Sequence, residues 1–137
     1  RQAQVDYLRQ CHREGCDWFF HPPIRRNVSD TPMKSLPFTN QTLICGDLNA
    51  APDNPTIKHL LAPFDDDTPA LYDSWRYCYP NQPHPPTLGL DNPNYPAAQA
   101  FCADYLMGTT YFLSQIQAIT IDDQCRASDH QPLLIEF

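Results

Sequence analysis

Apolar positions along the chain fall into short blocks separated by polar and proline-rich stretches. From Arg1 to about Glu14, Val5, Leu8 and Cys11 or His12 recur at the spacing of one helix face, and Gly15 is the expected stop. Residues 17–40 carry several prolines and scattered aromatics without a sustained period, which predicts a long connection of the kind that often carries function. Thr42 to Cys45 is a strand too apolar to have a wet face, as expected in the middle of a covered sheet. Ala51-Pro52-Asp53-Asn54-Pro55 is turn chemistry. Asn54 is placed to cap a short helix with Pro55 at its first position and Ile57, Leu60 and Leu61 as its buried stripe, ended by Pro63. Leu71 to Tyr77 predicts a second short helix, with Leu71, Trp75 and Cys78 at helical spacing. Pro80 to Pro96 reads as loop, and strands are expected at about residues 101–107, 115–121 and 131–137.

The chemistry concentrates where these apolar runs stop. Leu43-Ile44-Cys45 ends in Gly46-Asp47-Leu48-Asn49, which puts a carboxylate and a carboxamide two residues apart on one strand face. Such oxygen donors suit a hard cation like Mg²⁺. A second acidic cluster, Ser128-Asp129-His130, stands beside the apolar run Leu133-Leu134-Ile135. Between them, Asp104 sits in the apolar context Ala103-Asp104-Tyr105-Leu106. A carboxylate there needs a partner, because burying it ionised and alone costs several kcal/mol. His130 is the best partner the sequence offers. Three acidic positions, each tied to a strand, suggest a metal-dependent phosphate-ester hydrolase.

Composition narrows this reading. The 137 residues suffice for one domain with a modest core, and 42% hydrophobic content is globular. No apolar run approaches the ~20 residues that span a bilayer, so this stretch holds no transmembrane segment. The chain opens on Arg1-Gln2-Ala3 and reads as a piece of something longer, with room for a targeting segment upstream. Localisation therefore stays open, with the cytoplasm preferred. The formal charge is −7, and the surface remains acidic without the three suspected site acids. No basic run extends beyond Arg25-Arg26, which weighs against long duplex DNA. The six cysteines match no zinc signature; Cys45 and Cys102, inside apolar strands, read as small hydrophobes, and the set as reduced thiols.

Gly46-Asp47-Leu48-Asn49, Ala103-Asp104-Tyr105-Leu106 and Ser128-Asp129-His130-Gln131-Pro132-Leu133 together resemble the motif order of the endonuclease/exonuclease/phosphatase superfamily, the DNase I-like hydrolases. Leu71-Tyr72-Asp73-Ser74-Trp75-Arg76 resembles that family's leucine-x-aspartate-x-tryptophan helix. Pro86-Thr87 resembles the proline-threonine element before its middle aspartate. The resemblance implies an α+β fold, a four-layered α/β/β/α sandwich of which residues 1–137 supply roughly the C-terminal half of a single domain. It also implies that a metal-binding Glu and a first catalytic His belong upstream of Arg1. Glu14 stands in the wrong context to replace the one, and His84 in the wrong order to replace the other.

Carried onto this chain, the resemblance makes Asp47, Asn49, Asp104 and His130 the catalytic set. Asp47, Asn49 and Asp129 would form the Mg²⁺ (or Mn²⁺) shell, and Asn49, Thr87 and His130 would contact substrate. Asp47 would hold metal or activate water, and Asn49 would orient a phosphoryl oxygen. His130 would stabilise developing negative charge, with Asp104 fixing its tautomer. The plainer readings are that Asp47 and Asn49 only form a turn, that Asp104 is a paired structural acid, and that Asp129 is a cap. Asp65-Asp66-Asp67 lacks the ligand spacing of a calcium loop and reads as a solvated acidic turn. Tyr77, Tyr79 and Tyr95 either stack on a base or pin loops to the body. His12, His21, His59 and His84 take no role. The substrate would be a phosphoester: nucleic acid, nucleotide, inositol phosphate or phospholipid head group. The partner would be the missing N-terminal half of the same domain. Residues 1–137 alone are expected to be aggregation-prone and inactive. The rival reading is a non-catalytic binding or scaffold protein that keeps the fold.

Overall fold

The computed structural model describes residues 1–22, 38–90 and 99–137. The first element, α1 (Gln2–Phe20), runs a turn and a half beyond the expected stop at Gly15. Val5, His12 and Cys16 are its buried positions, so burial of Cys16 carries the helix through a residue whose interior cost is only about 1 kcal/mol. The connection expected after it falls largely outside the described residues.

Strand β1 (Leu43–Asp47) leads into α2 (Pro55–Leu60). Asn54 caps α2 as expected, accepting the Thr56 N–H at 2.9 Å, with Pro55 opening the helix and Ile57 and Leu60 buried. Its last carbonyls are taken up from α1. The Arg9 guanidinium donates to the carbonyls of His59, Leu60, Ala62 and Pro63 at 2.7–3.2 Å and lies 4.0 Å from the Phe64 ring centre. One cation thereby satisfies orphan acceptors at a helix C-terminus and locks α1 onto α2.

The single helix expected over residues 71–77 is instead a two-residue strand, β2 (Tyr72–Asp73), followed by α3 (Ser74–Cys78). Asp73 explains the later start: its carboxylate accepts the Trp75 N–H at 3.0 Å and so caps the helix. Then come β3 (Asp104–Gly108), α4 (Thr110–Leu113), β4 (Ala118–Ile121) and β5 (Leu133–Glu136). The strand expected from residue 115 begins at Ala118, because α4 and its closing turn occupy the preceding residues and bury Leu113.

The strand β3 lies between β1 and β2, antiparallel to both, while β4 and β5 form a separate antiparallel pair. The architecture is thus α+β. The covered mid-sheet position expected for the Thr42–Cys45 run is corrected: among the described residues β1 is an edge of its three-stranded sheet, and Leu43, Cys45, Gly46 and Asp47 are exposed. Apolar side chains along a strand do not by themselves say what covers each face. Here only Ile44 and Leu48 turn toward the core of Val5, Ala50, Ile57, Leu60, Leu71, Cys102, Tyr105 and Met107. Cys45 is accordingly no core residue, whereas Cys102 is, and all six cysteines are unpaired. Among the described residues no helix is long and apolar enough to cross a membrane.

Candidate active site

The site begins where β1 ends. Asn49 has φ +49°, a left-handed conformation that Asn tolerates better than most residues, and it turns the chain sharply after the strand. The Asp47 carboxylate closes this turn, accepting the Asn49 backbone N–H and its Nδ2–H, each at 2.7 Å. Asp47 is therefore the turn-former that the plainer reading expected, with its carboxylate held at the strand end. Both residues remain exposed beyond the strand.

The ladder between β1 and β3 sets Asp104 directly opposite Asp47, and the Leu48 N–H extends it by one bond to the Ala103 carbonyl at 2.8 Å. Asp104 Oδ2 accepts two bonds: from Thr87 Oγ1–H at 2.7 Å and from His130 Nδ1–H at 2.9 Å. The pairing of Asp104 with His130 reproduces the expectation from sequence. It commits Nδ1 to the carboxylate and leaves Nε2 as the nitrogen available to a ligand.

Residues 87–89 bind this arrangement together. Leu88 exchanges backbone bonds with Phe101, the Gln131 N–H reaches the Thr87 carbonyl at 2.8 Å, and the Gly89 N–H reaches the Asp129 carbonyl at 3.2 Å. Ser128 Oγ accepts the His130 N–H at 3.1 Å, shaping the turn that carries the histidine. The Asp104 hydrogen bond holds the His130 imidazole above its ordinary pKa. The charges of Asp104, Asp47 and Asp129 act in the same direction, and partial burial opposes them. Three separated carboxylates are thus close enough to be felt at one ring.

Thr87 does not fit the substrate-contact role. It is fully buried, and its hydroxyl, besides donating to Asp104, accepts the N–H groups of Ala103 and Asp104 at 2.9 Å each. Its hydrogen-bonding capacity is spent on placing Asp104.

Among the described residues no three His, Cys, Asp or Glu side chains converge as a ready-made metal cage. Mg²⁺ does not require one; it commonly takes one or two carboxylates and completes its shell with water and substrate phosphate. The donor set fits that habit. Asp47 and Asp129 are exposed carboxylates whose charges both act on His130, and Asp47 keeps lone pairs beyond its two bonds to Asn49.

Other expectations resolve more plainly. Tyr79 is a pin, its hydroxyl donating to the Ile119 carbonyl at 3.2 Å and its ring packing on Trp75. Tyr77 is exposed, and Tyr95 and the Arg25-Arg26 pair lie outside the described residues. Asp65 and Asp66 pair with Arg13, as suits a surface acidic turn. A concavity of about 600 Å³ beside the C-terminal half of α1 shares no residue with the site. What sequence reasoning missed is a buried Asp–His pair. His84 Nε2 meets Asp73 Oδ2 at 2.6 Å, and both side chains are almost fully buried. His84 sits in a proline loop with no periodicity, so only the capping position of Asp73 gave any signal.

An α+β protein with facing carboxylates at a strand end and a carboxylate-held histidine beside them has the features of a hydrolytic centre. A profile of the Endonuclease/Exonuclease/phosphatase family matches residues 17–130, and the chain belongs to that family. A search of curated protein sequences gave no match.

Proposed function

We propose that this chain is the C-terminal part of a four-layered DNase I-like domain that hydrolyses phosphate esters with a divalent metal, Mg²⁺ by preference. The observation that carries the reading is the Asp104–His130 pair held beside Asp47. Asp47 and Asp129, with the Asn49 amide oxygen, would hold the cation, which when bound supplies charge neutralisation at the phosphoryl oxygens. Asp47 also takes a proton from the attacking water, or orients it, for in-line displacement at phosphorus. Asn49 presents its amide to a phosphoryl oxygen and adds no titrating group of its own. His130, whose cationic form Asp104 favours, donates from Nε2 to the oxygen on which charge accumulates.

The exposed face of β1 supports placement against a further layer of the same domain, since an uncovered apolar edge strand is otherwise a liability. The net charge of −7 favours a small phosphoester over long duplex DNA. The test is a phosphoester panel with Mg²⁺ on the protein at its native full length. Asp47→Asn and His130→Ala should each lower turnover by about 10²–10⁴-fold with folding intact. Near-normal hydrolysis by both variants would reject the mechanism. A full-length protein inert on the entire panel would favour a scaffold that has kept the fold.

A further inference from the structure

Besides the half-buried Asp104–His130 pair there is the almost fully buried one, and its two sides both lead to Asp104. The first route runs along the chain. The Asp73 carboxylate fixes His84, and Trp75 Nε1–H fixes the adjoining Pro83 carbonyl at 3.2 Å. Pro85 and Pro86 then restrict the backbone for the two residues that remain before Thr87, whose hydroxyl holds Asp104. The second route runs through space. His84 Nδ1 stands 3.4 Å from Cys102 Sγ, and that sulfur is 3.4 Å from the Asp104 carbonyl, so the thiol proton bonds one or the other. The ring of His84 also packs edge-on against Tyr105, whose hydroxyl donates at 2.6 Å to the Ala50 carbonyl just past Asn49.

We propose that His84, pinned by Asp73, is a positioning residue that sets Asp104 against His130, so that a buried Asp–His pair governs the geometry of the half-buried one. Asp–His–Cys order invites a different reading, with Cys102 as a nucleophile. Cys102 is only 3% exposed, and burial pushes its thiol up to about 12, which keeps it protonated and out of reach of any substrate. The cluster acts through Asp104 and touches no ligand.

The kinetic consequence rests on the hydrolase reading above; the structural consequence does not. Three variants separate the routes in the full-length protein. His84→Gln removes both, Cys102→Ala removes only the sulfur, and Asp73→Asn frees His84 while an Asn oxygen still caps α3. In His84→Gln and Asp73→Asn, kcat should fall about 10–100-fold with KM changed less than about threefold. The side-chain Nδ1 proton of His130, followed by ¹H–¹⁵N NMR, should shift and exchange faster as its bond to Asp104 loosens. Cys102→Ala should show the same signature in weaker form.

Folded His84→Gln or Asp73→Asn protein with unchanged kcat and an unchanged His130 signal would overturn the proposal. So would a result in which none of the three variants folds, since the pair would then only determine the fold. Wild-type protein that hydrolyses no phosphoester would sink the hydrolase reading alone, and the His130 signal would still decide this one.

Discussion

Asp47 and Asp104 are the last register pair of the β1–β3 ladder, two acidic residues directly opposite each other on adjacent antiparallel strands. Like charges in that position oppose strand pairing. Each is compensated locally and differently. Asp47 accepts two N–H groups from Asn49, and Asp104 accepts the Thr87 hydroxyl and the His130 imidazole. Asp47 is exposed, whereas Asp104 is half-buried.

Asp47→Asn should therefore separate stability from activity. Without divalent cation the variant should be as stable as wild type or more so, by up to about 1 kcal/mol, because the cross-strand repulsion is gone. Its turnover should fall sharply. Added Mg²⁺ should raise the urea midpoint of wild type more than that of the variant. A variant clearly less stable than wild type in EDTA would mean that the Asn49 turn, and not the charge, governs Asp47.

His130 and Asp104 give a pH dependence with a definite sign. The Asp104 hydrogen bond raises the folded-state pKa of His130 above the ordinary imidazole value. The stability contributed by this pair is fully present below the unfolded-state pKa of histidine and is lost as pH rises through the higher folded value. In Asp104→Asn the His130 titration, read by NMR in EDTA, should move downward. Wild type and variant should then differ more in urea midpoint at mildly acidic pH than at alkaline pH. A His130 titration unmoved by the substitution would remove Asp104 as its partner.

This pairing was legible in the sequence for a physical reason: an aspartate in an apolar strand demands a partner, and few candidates exist. The Gly46–Asn49 turn was equally legible, since Asp and Asn at a strand end have few other local conformations. The burial of Thr87 and its bonds to Asp104 were not legible, because a sequence shows a hydroxyl but not which groups use it. His84 and Asp73 were invisible as a pair because the loop between them has no period, and nothing in it reports which residues return to the core. The edge position of β1 failed for a third reason. Side-chain polarity along one strand does not encode the strand order of a sheet.

Gly15 offers a test confined to the backbone. It lies inside α1, where glycine is less favourable than alanine by about 0.5–1 kcal/mol, and a Cβ built there meets nothing within 4 Å. Gly15→Ala should raise stability by about that amount in urea unfolding and leave activity unchanged. A destabilised variant would show that α1 does not continue through residue 15 in solution.

Thr87 distinguishes positioning from substrate contact. Thr87→Val keeps the shape but withdraws the acceptor for the Ala103 and Asp104 N–H groups and the donor to Asp104. Each buried group left unpaired costs about 1–3 kcal/mol, so a loss of roughly 2–4 kcal/mol is expected from urea unfolding. Thr87→Ser restores the hydroxyl and gives up one methyl, which should cost no more than about 1.5 kcal/mol. Kinetically, a positioning role predicts that Val lowers kcat with KM nearly constant and that Ser rescues it. A substrate contact predicts a raised KM, with stability untouched in both variants. Because the side chain is fully buried against Asp104, the first pattern is the one that should be measured.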